Sequence, residues 1–448
     1  MKEKKTVGSE PIYDARTLGM PKMLVLGLQH MFAMFGATVL VPIIVQRSYG
    51  LPLSIQTTLL FAGLGTLFFH ACTKFKVPAF LGSSFAFLGG FSAVADLNSG
   101  KYADMTGAEK LPYALGGIVV AGCMYLVLAA LFKVVGPYKV MRFFPPVVTG
   151  PIIILIGLIL APSAVTNAST CWWLATLAIV IIIVCNIWGR GMVKILPILL
   201  SVVISYLVAL AAGLVDFSTV GTVGFVGLQP FVFAKFDATA ILVMAPISIA
   251  SMMEHVGDIS AISATTGSNF LEDPGLHRTL VGDGLATAVA GLFGGPANTT
   301  YGENTGVLVL SRVYDPRVIR LAALYAVILS FSPKFAAVIS SIPAAIIGGV
   351  SFILYGMISA IGIRNVVENQ VDFTRSRNLL IAAVILVSGL GFNSCGGLSF
   401  SIGSANVTLT GLAIAAILGV ALNAILPGND FEFGKSANSD SSADLGHY

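Results

Sequence analysis

Long apolar runs, separated by short polar segments, dominate the chain. A helix needs about 20 mostly apolar residues to cross a ~30 Å hydrocarbon layer. This pattern predicts fourteen membrane-spanning segments, called spans 1 to 14 here, near 23–45, 53–72, 78–95, 112–133, 145–162, 171–188, 195–215, 238–257, 279–295, 296–311, 318–341, 343–363, 378–394 and 407–427. Spans 3 and 10 begin at proline and mix hydroxyl, glycine and aromatic side chains, in "PAFLGSSFAFLGG" and "PANTTYGENTGVLVL". They are predicted to be broken segments.

Composition places these segments in a membrane. The 448 residues are 56% hydrophobic and 10% charged, with a mean hydropathy of +0.90, whereas about 25% of the residues in a soluble domain are charged. The chain is therefore predicted to be an all-α polytopic membrane protein. A net charge of +4, spread along the chain, gives no support for nucleic-acid binding. The five cysteines are scattered and predict neither a disulfide framework nor a metal cluster.

The basic residues provide a separate test of the number of crossings. With a cytoplasmic N-terminus and fourteen spans, most of the 25 Lys and Arg residues face the cytoplasm, as the positive-inside rule requires. The exceptions are Arg47, Lys101, Lys110, Lys235 and Lys334. This distribution predicts seven spans, a polar connection near 216–237 and seven further spans. Both termini are then cytoplasmic, in a multi-pass membrane protein.

Seven spans followed by seven give the two halves opposite orientations, which is the arrangement of an inverted repeat. Weak sequence similarities between the halves agree with it. They are "LQH" in span 1 with "MEH" in span 8, the broken spans 3 and 10, and Pro145 with Gly150 in span 5 against Pro343 with Gly348 in span 12. In such folds the binding site lies near the bilayer midplane, where the broken segments meet.

Acidic residues inside the predicted spans are the candidate site. Each costs roughly 2.5 to 3.5 kcal/mol at the centre of a membrane helix, so such residues usually have a function. Glu254 and Asp258 share a helix face in "SMMEHVGDIS", while His255 points about 100° away from Glu254. A simpler interpretation is that Glu254 and Asp258 only mark the cytoplasmic end of span 8. A metal site is disfavoured, because no second cluster with ligand spacing accompanies them.

Glu303 lies inside broken span 10, in "TTYGENTGVL". A carboxylate there is also compatible with a helix start, where the helix dipole stabilises negative charge. Two carboxylates that face one cavity of low dielectric constant repel each other and are desolvated. At least one of Glu254 and Glu303 is therefore expected to take up a proton.

Long motifs resemble the nucleobase–ascorbate transporter (nucleobase:cation symporter-2) family, in particular its bacterial uracil permeases. These motifs are "GLQHMFAMFGATVLVP", "PAFLGSSFAF", "EHVGD", "DPGLHRTLVGDGLATAVAGLFGGPANTTYGENTGV" and "GGVSFILYGMISAIGIR". They extend from span 1 to span 12. The family's signature appears as Glu303, Asn304, Gly306, Ser311 and Arg312. Ser311 departs from the usual threonine but keeps its hydroxyl.

The resemblance implies fourteen spans in two inverted seven-span repeats, with short antiparallel strands in spans 3 and 10. It divides the chain into a core domain, a gate domain and two cytoplasmic tails. These are 23–133 and 238–341 for the core, 145–215 and 343–427 for the gate, and 1–22 and 428–448 for the tails. Family members of this type carry protons with the base, are commonly homodimers and move the core against the gate like an elevator. The resemblance implies no cofactor.

The resemblance also implies roles for individual residues. Glu254 and Glu303 match the glutamates that hold uracil, and Phe85 and Gly302 match residues whose backbone N–H groups bind a carbonyl. Tyr301 and His30 match neighbours of the pocket. Asp258 stands where some uracil permeases have a histidine linked to proton coupling, so the proton carrier is open among Glu254, Asp258 and Glu303.

The chemistry of uracil fits these residues independently of the family resemblance. Uracil presents N–H donors and C=O acceptors, so its site needs carboxylate acceptors and backbone donors. Phe85 and Tyr301 are also compatible with plain packing, and His30 with a satisfied interior histidine. Asp283 is expected to be structural, through hydrogen bonds to the neighbouring broken segment.

Other functions remain open on the sequence alone. Xanthine or uric acid is the alternative substrate within the family. An anion carrier of the same fold would need a basic residue in place of Glu303, because carboxylates repel anions. A membrane-embedded hydrolase or metalloenzyme would use Glu254, His255 and Asp258, yet no nucleophile–base arrangement supports it.

Overall fold

The structure is a computed structural model that describes residues 10–218, 220–227, 230–402 and 405–428. Most of these residues are helical. The helices are α1 Met20–Tyr49, α2 Ile55–Cys72, α3 Leu88–Ala95, α4 Gly107–Val135, α5 Pro137–Met141, α6 Pro146–Ser169, α7 Trp172–Ile187, α8 Met192–Ile195, α9 Pro197–Ala211, α10 Ala238–Met244, α11 Ile247–Thr266, α12 Leu276–Leu292, α13 Gly302–Ser311, α14 Pro316–Ser330, α15 Pro333–Ser340, α16 Ala344–Glu368, α17 Ser376–Ser394 and α18 Gly411–Ile425. Of the predicted tails, residues 1–9 and 429–448 lie outside the described residues.

Four strands complete the described chain: β1 Leu81–Ser83, β2 Asn298–Thr300, β3 Leu398–Ile402 and β4 Ala405–Leu409. β1 pairs with β2 and β3 with β4, in both cases antiparallel. β1 and β2 lie in spans 3 and 10, so the expected short strands are confirmed. Each is followed by a helix, α3 after β1 and α13 after β2, and the predicted breaks in these two spans are present.

The helices confirm a multi-pass membrane protein but leave the number of crossings open. Seven helical segments of the described chain are long and apolar enough to cross a membrane, namely α1, α2, α4, α6, α10 with α11, α16 and α17. The pair α14 and α15, bent by 89°, is an eighth candidate. Each of the fourteen predicted segments contains helix, but several of these helices are short. The fourteen-span inverted repeat stays a prediction.

Two threonines hold β1 and β2 in corresponding ways. Thr66 on α2 accepts from the Leu81 N–H at 2.9 Å, and its hydroxyl donates to the Ala62 carbonyl at 2.8 Å while lying 3.2 Å from the Leu81 carbonyl. Thr287 on α12 accepts from the Asn298 N–H at 3.1 Å and donates to the Asn298 carbonyl at 3.2 Å. These hydroxyls satisfy the backbone at the first residue of each strand, where a buried polar group would otherwise lack a partner.

The helices pack mainly in two groups. In the first, α2 and α4 pack on α12, and α1 and α2 pack on α14. In the second, α6 and α7 pack on α16, and α17 packs on α6 and α18. Glycines permit close approach in both groups. A Cβ at Gly122 would lie 2.6 Å from the Gly284 carbonyl, and one at Gly362 would lie 2.7 Å from the Gly150 carbonyl.

Polar contacts among the loops and helix ends fall into two separate sets. In the first set, the Ile12 N–H donates to Arg312, Arg317 pairs with Asp14, Lys76 pairs with Asp273, and Arg278 donates to Cys72. In the second set, Lys101 pairs with Asp237, Arg47 donates to Ser340, and Gln56 donates to Gly227 and Ser330. The predicted topology places the loop residues of the first set on the cytoplasmic side, and Arg47, Lys101, Asp237 and Gly227 of the second set on the opposite side.

Candidate functional site

A small cavity lies where β2 leads into α13, against the start of span 3, α11 and α16. It encloses about 30 Å³ and is lined by Phe85, Ile153, Glu254, Asp258, Thr299, Thr300, Tyr301, Gly302, Glu303, Ile358 and Ile361. Such a volume holds one or two water molecules. All predicted site residues except His30 line this cavity, so the structure brings together side chains from opposite halves of the chain.

Three carboxylates converge here. Glu254 and Asp258 lie on consecutive turns of α11, and both side chains reach the cavity, as their shared helix face predicts. Glu303 lies in the first turn of α13. The Thr300 hydroxyl donates to Asp258 Oδ2 at 2.9 Å. Within the described residues Glu254 Oε2 is buried and has no hydrogen-bond partner, so an acceptor atom is available to a donor in the cavity.

The first turn of α13 supplies donors to the same cavity. The first N–H groups of a helix have no partner within it, and the helix dipole adds positive potential there. Tyr301 precedes α13 and makes no side-chain capping hydrogen bond. Gly302 begins the helix without a Cβ, so the backbone is open to close approach. This arrangement suits the backbone donor role predicted for Gly302.

Tyr301 is buried between the two strands and α1. Its hydroxyl donates to the Ser83 carbonyl at 3.0 Å and accepts from Thr38 at 3.3 Å. Its backbone N–H donates to Phe80 at 3.0 Å, next to the β1–β2 ladder. A Cβ at Gly82 would overlap the Tyr301 ring. Packing and hydrogen bonds therefore both fix this aromatic wall of the cavity.

Phe85 forms another wall from span 3. It begins the short 3-10 helix Phe85–Phe87, which leads into α3, and it is 4% exposed. Its ring meets Tyr355 of α16 edge to face, with 5.9 Å between ring centroids. Tyr355 was not identified from the sequence, because one tyrosine in an apolar run gives no sign of its partner.

His30 stands behind the cavity and is fully buried on α1. The Asn304 amide donates to the His30 carbonyl at 3.1 Å and lies 3.2 Å from His30 Nδ1. Asn304 follows Glu303 in α13, so this contact joins α1 to the helix that carries the carboxylate. The structure thus places His30 as a neighbour of the site through Asn304, and direct substrate contact stays a prediction.

Asp283 is held by a partner other than the expected one. Its Oδ2 lies 2.8 Å from His255 Nδ1, and both side chains are fully buried. The expectation that Asp283 bonds the neighbouring broken segment is wrong. His255 points away from Glu254, as the helical spacing predicts, and this direction places it against α12, which carries Asp283.

A larger cleft of about 520 Å³ borders the cavity and shares Asp258, Gly302, Glu303, Ile358 and Ile361 with it. Its other walls come from α1, α9 and the region of α8. Polar and charged side chains are found farther from the cavity, including Asn186, Lys194, Arg364 and Glu368. The cleft is thus lined both by two of the site carboxylates, Asp258 and Glu303, and by these charged groups.

Within the described residues, no group of three or more His, Cys, Asp or Glu side chains could hold a metal ion. Glu254, His255 and Asp258 are not arranged as such a group. The two acids face the cavity, while His255 faces Asp283.

Thr299 and Thr300 were missed by the sequence reasoning, although both line the cavity. Their position in the sequence could have identified them, since they directly precede Tyr301, Gly302 and Glu303 in a segment predicted to be broken. Ile153, Ile358 and Ile361 carried no such signal. They resemble any other apolar residue of a span.

The cavity and the apolar helices around it together define a multi-pass membrane protein with an internal polar site. Proteins of similar sequence include named permeases. A uracil permease from Bacillus caldolyticus is 42% identical over 432 residues, covering 93% of this chain and 94% of the relative. A uracil permease from Bacillus subtilis strain 168 is 39% identical over 419 residues, covering 89% of this chain and 91% of the relative.

A solved structure shares the fold at low sequence identity. It is the transmembrane domain of the cyanobacterium bicarbonate transporter BicA, with a TM-score of 0.58, 14% identity, and coverage of 92% of this chain and 99% of that chain. Residues 21–395 match the family model described as "Permease family". The chain therefore belongs to this family of permeases. It is a transporter and not an enzyme.

Proposed function

We propose that the chain is a proton-coupled symporter that imports uracil across the bacterial plasma membrane. The observation that carries the proposal is the convergence of Glu254, Asp258 and Glu303 on one cavity at the start of α13. The names of the similar proteins agree with uracil as the substrate. Elevator-like movement of a core domain against a gate domain would carry the cavity between the two sides.

The cavity offers groups that complement a pyrimidine base. Glu254 and Glu303 supply carboxylate acceptors for the ring N–H groups, and charge-assisted hydrogen bonds of this kind are stronger than neutral ones. Backbone N–H groups at Gly302 and Phe85 would donate to the ring carbonyls. Tyr301 and Phe85 line the same cavity and would cover the ring. The base would occupy volume that includes the adjoining cleft.

The same carboxylates supply the coupling. Repulsion among three acids in a buried site favours uptake of a proton, and the proton removes charge that would oppose movement through the bilayer. A loaded core is then less charged than an empty one. Uptake would consequently depend on the proton gradient as well as on the uracil gradient.

The proposed architecture is fourteen spans in two inverted repeats, with both termini cytoplasmic. The matching roles of Thr66 on α2 and Thr287 on α12 support it, because spans 2 and 9 correspond in such a repeat. The two sets of loop contacts agree with the predicted sides. The first packing group corresponds to the proposed core and the second to the gate. Homodimer formation in the lipid bilayer belongs to the same proposal.

Uptake of radiolabelled uracil tests the site. Replacing Glu303 with Ala removes one charge-assisted hydrogen bond, worth about 1.5 to 3 kcal/mol. Since about 1.4 kcal/mol is a factor of ten, uptake should fall roughly 10- to 100-fold. Asp104→Ala, at an exposed carboxylate between α3 and α4, is the control and should retain uptake.

Competing bases and a protonophore separate the alternatives. Wild-type uptake in Glu303→Ala, at equal protein in the membrane, would refute the site. Stronger competition by xanthine or uric acid than by uracil would favour a purine carrier. Uptake of bicarbonate, with none of uracil, would favour an anion carrier, whose fold the structural similarity supports. Uracil uptake that a protonophore leaves unchanged would refute proton coupling.

A further inference from the structure

Three hydroxyl groups meet behind the cavity. The Tyr125 hydroxyl on α4 donates to Ser251 Oγ on α11 at 2.8 Å, and Ser251 Oγ lies 3.4 Å from Ser84 Oγ in span 3. All three side chains are at most 1% exposed. Since Ser251 accepts from Tyr125, its own hydrogen can be donated to Ser84. These contacts therefore join α4, α11 and span 3 in the interior of the protein.

Ser251 belongs to the helix face that carries two of the site acids. Ser251, Glu254 and Asp258 recur at spacings of three and four residues on α11, so they share one face. Among the described residues, Asp258 lines both the cavity and the cleft, Glu254 lines the cavity alone, and Ser251 lines neither. Ser251 therefore lies at the closed end of this face, about one helical turn beyond Glu254.

Ser84 connects the same hydroxyl groups to another wall of the cavity. It directly precedes Phe85, which lines the cavity, and its backbone N–H donates to the Ala297 carbonyl at 2.8 Å, just before β2. In the proposed function, Glu254 accepts from a ring N–H and the Phe85 backbone donates to a ring carbonyl. The contact between Ser251 and Ser84 thus joins the two segments that carry these groups.

Tyr125 is held firmly at the other end of these contacts. A Cβ built on Gly284 of α12 would lie 2.5 Å from Tyr125 Cβ, and one built on Gly122 of α4 would lie 2.6 Å from the Gly284 carbonyl. The backbones of α4 and α12 thus touch beside Tyr125, which leaves its side chain no room to shift toward α12. Its hydroxyl is therefore a fixed point against which α11 is placed.

We propose that Tyr125 is a positioning residue for substrate binding, which acts through Ser251 to set Glu254 at the correct distance from the Phe85 backbone. This inference rests on the proposed uracil transport. A planar base that bonds to both groups at once requires them at one separation, so a small displacement of α11 weakens binding. Tyr125 holds α11 in place from behind and does not itself contact the base.

Equilibrium binding of radiolabelled uracil to the purified full-length protein tests this role. Tyr125→Phe removes the hydroxyl and keeps the ring, so the packing against Gly284 is retained. The Kd for uracil should rise roughly 2- to 10-fold, as expected for the loss of one buried hydrogen bond, while the number of binding sites per protein stays unchanged. A merely structural role would lower the number of sites and leave their Kd unchanged.

A double-mutant cycle shows whether Tyr125 acts through Ser251. Ser251→Ala should raise the Kd by a similar factor, and the double variant should raise it no further, because both changes remove the same bond. Ser84→Ala should have a smaller effect, because 3.4 Å is long for a hydrogen bond between hydroxyls. Tyr206→Phe is the matched control. It removes a bond of 2.6 Å to Ser341, away from the residues that line the cavity, and should leave the Kd unchanged.

The outcomes distinguish this inference from the function on which it rests. A wild-type protein that binds no uracil would refute the proposed function, and the inference with it. Uracil binding by the wild type, with the same Kd in Tyr125→Phe, would overturn the role of Tyr125 alone. Factors that multiply in the double variant would overturn its action through Ser251. If Tyr125→Phe cannot be purified, a wild-type Kd in Ser251→Ala decides against the inference.

Discussion

Gly302 occupies the point where the first turn of α13 meets the cavity. A methyl group there would make ordinary contacts, 3.6 Å from Ile361 and 3.7 Å from Asp258. The protein itself therefore has room for an alanine at this position. The added methyl group would, however, occupy space that a ligand needs to reach the first N–H groups of α13, because backbone donors are reached most closely where no Cβ intervenes.

Gly302→Ala should consequently impair transport without impairing folding. We expect uracil uptake to fall about tenfold, equal to about 1.4 kcal/mol of lost binding, with normal amounts of protein in the membrane. Gly356→Ala on α16 is the matched control, since a Cβ there meets nothing within 4 Å. Equal uptake in the two variants would argue against close approach of the substrate to Gly302.

Single residues differ in how far their roles could be predicted. The spacing of Glu254 and Asp258 places both on one helix face, and the structure confirms it. The hydrogen bond from Thr300 to Asp258 joins residues 42 positions apart, and no local pattern encodes such a contact. His255 was correctly directed away from Glu254, yet its partner Asp283 depends on the placement of α12.

At the level of elements, the paired strands β1 and β2 position the residues of the site. Each strand has three residues, so the ladder alone offers few hydrogen bonds. Thr66 and Thr287 add bonds at the strand starts, and the Tyr301 ring covers Gly82. Phe85 follows β1 and Gly302 follows β2 closely along the chain, so a shift of the strand pair would move Phe85 and Gly302 together.

Gly82→Ala tests this dependence. The new methyl would overlap the Tyr301 ring, and crowding in a packed interior typically costs about 1 to 3 kcal/mol. We expect uptake to fall at least roughly tenfold, together with a lower unfolding temperature of the purified protein. Gly89→Ala in the same span should be tolerated, because a Cβ there meets nothing within 4 Å. Wild-type values for Gly82→Ala would show that Tyr301 is free to move.

The breaks in spans 3 and 10 could be predicted from the residues, because proline, glycine and hydroxyl side chains interrupt an apolar run. The pairing of the strands could not. A strand of three residues, all buried, has no alternation of apolar and polar positions to reveal it. The strands were expected only from the resemblance to a known family, which supplies information that one sequence does not contain.

At the scale of the whole molecule, hydropathy identified the helices better than their ends. It placed the end of span 12 near residue 363, whereas α16 continues to Glu368. The residues of α16 beyond position 363 include Arg364 and Glu368, because a helix can extend into water beyond the apolar run that predicts it. Charged residues at such ends lie beyond the apolar run, so the hydropathy pattern alone missed the charged wall of the cleft.

Cross-linking tests whether the proposed core and gate domains move against each other. A Cβ at Gly36 on α1 would lie 3.5 Å from Ile198 Cβ on α9, within the ~3.5 to 4.5 Å of a disulfide. With the native cysteines replaced by alanine, oxidised Gly36→Cys/Ile198→Cys should lose at least roughly 90% of uptake, as expected for a link that opposes an elevator-like displacement, and regain it on reduction.

A second pair shows whether cross-linking itself is harmful. Gly150 on α6 and Val366 on α16 both belong to the proposed gate, and a Cβ at Gly150 would lie 3.6 Å from Val366 Cβ. Oxidised Gly150→Cys/Val366→Cys should therefore keep its uptake, since no relative movement is needed within one body. Full cross-linking of Gly36→Cys/Ile198→Cys with unchanged uptake would contradict the displacement, because the covalent link would then join two surfaces that never separate during transport.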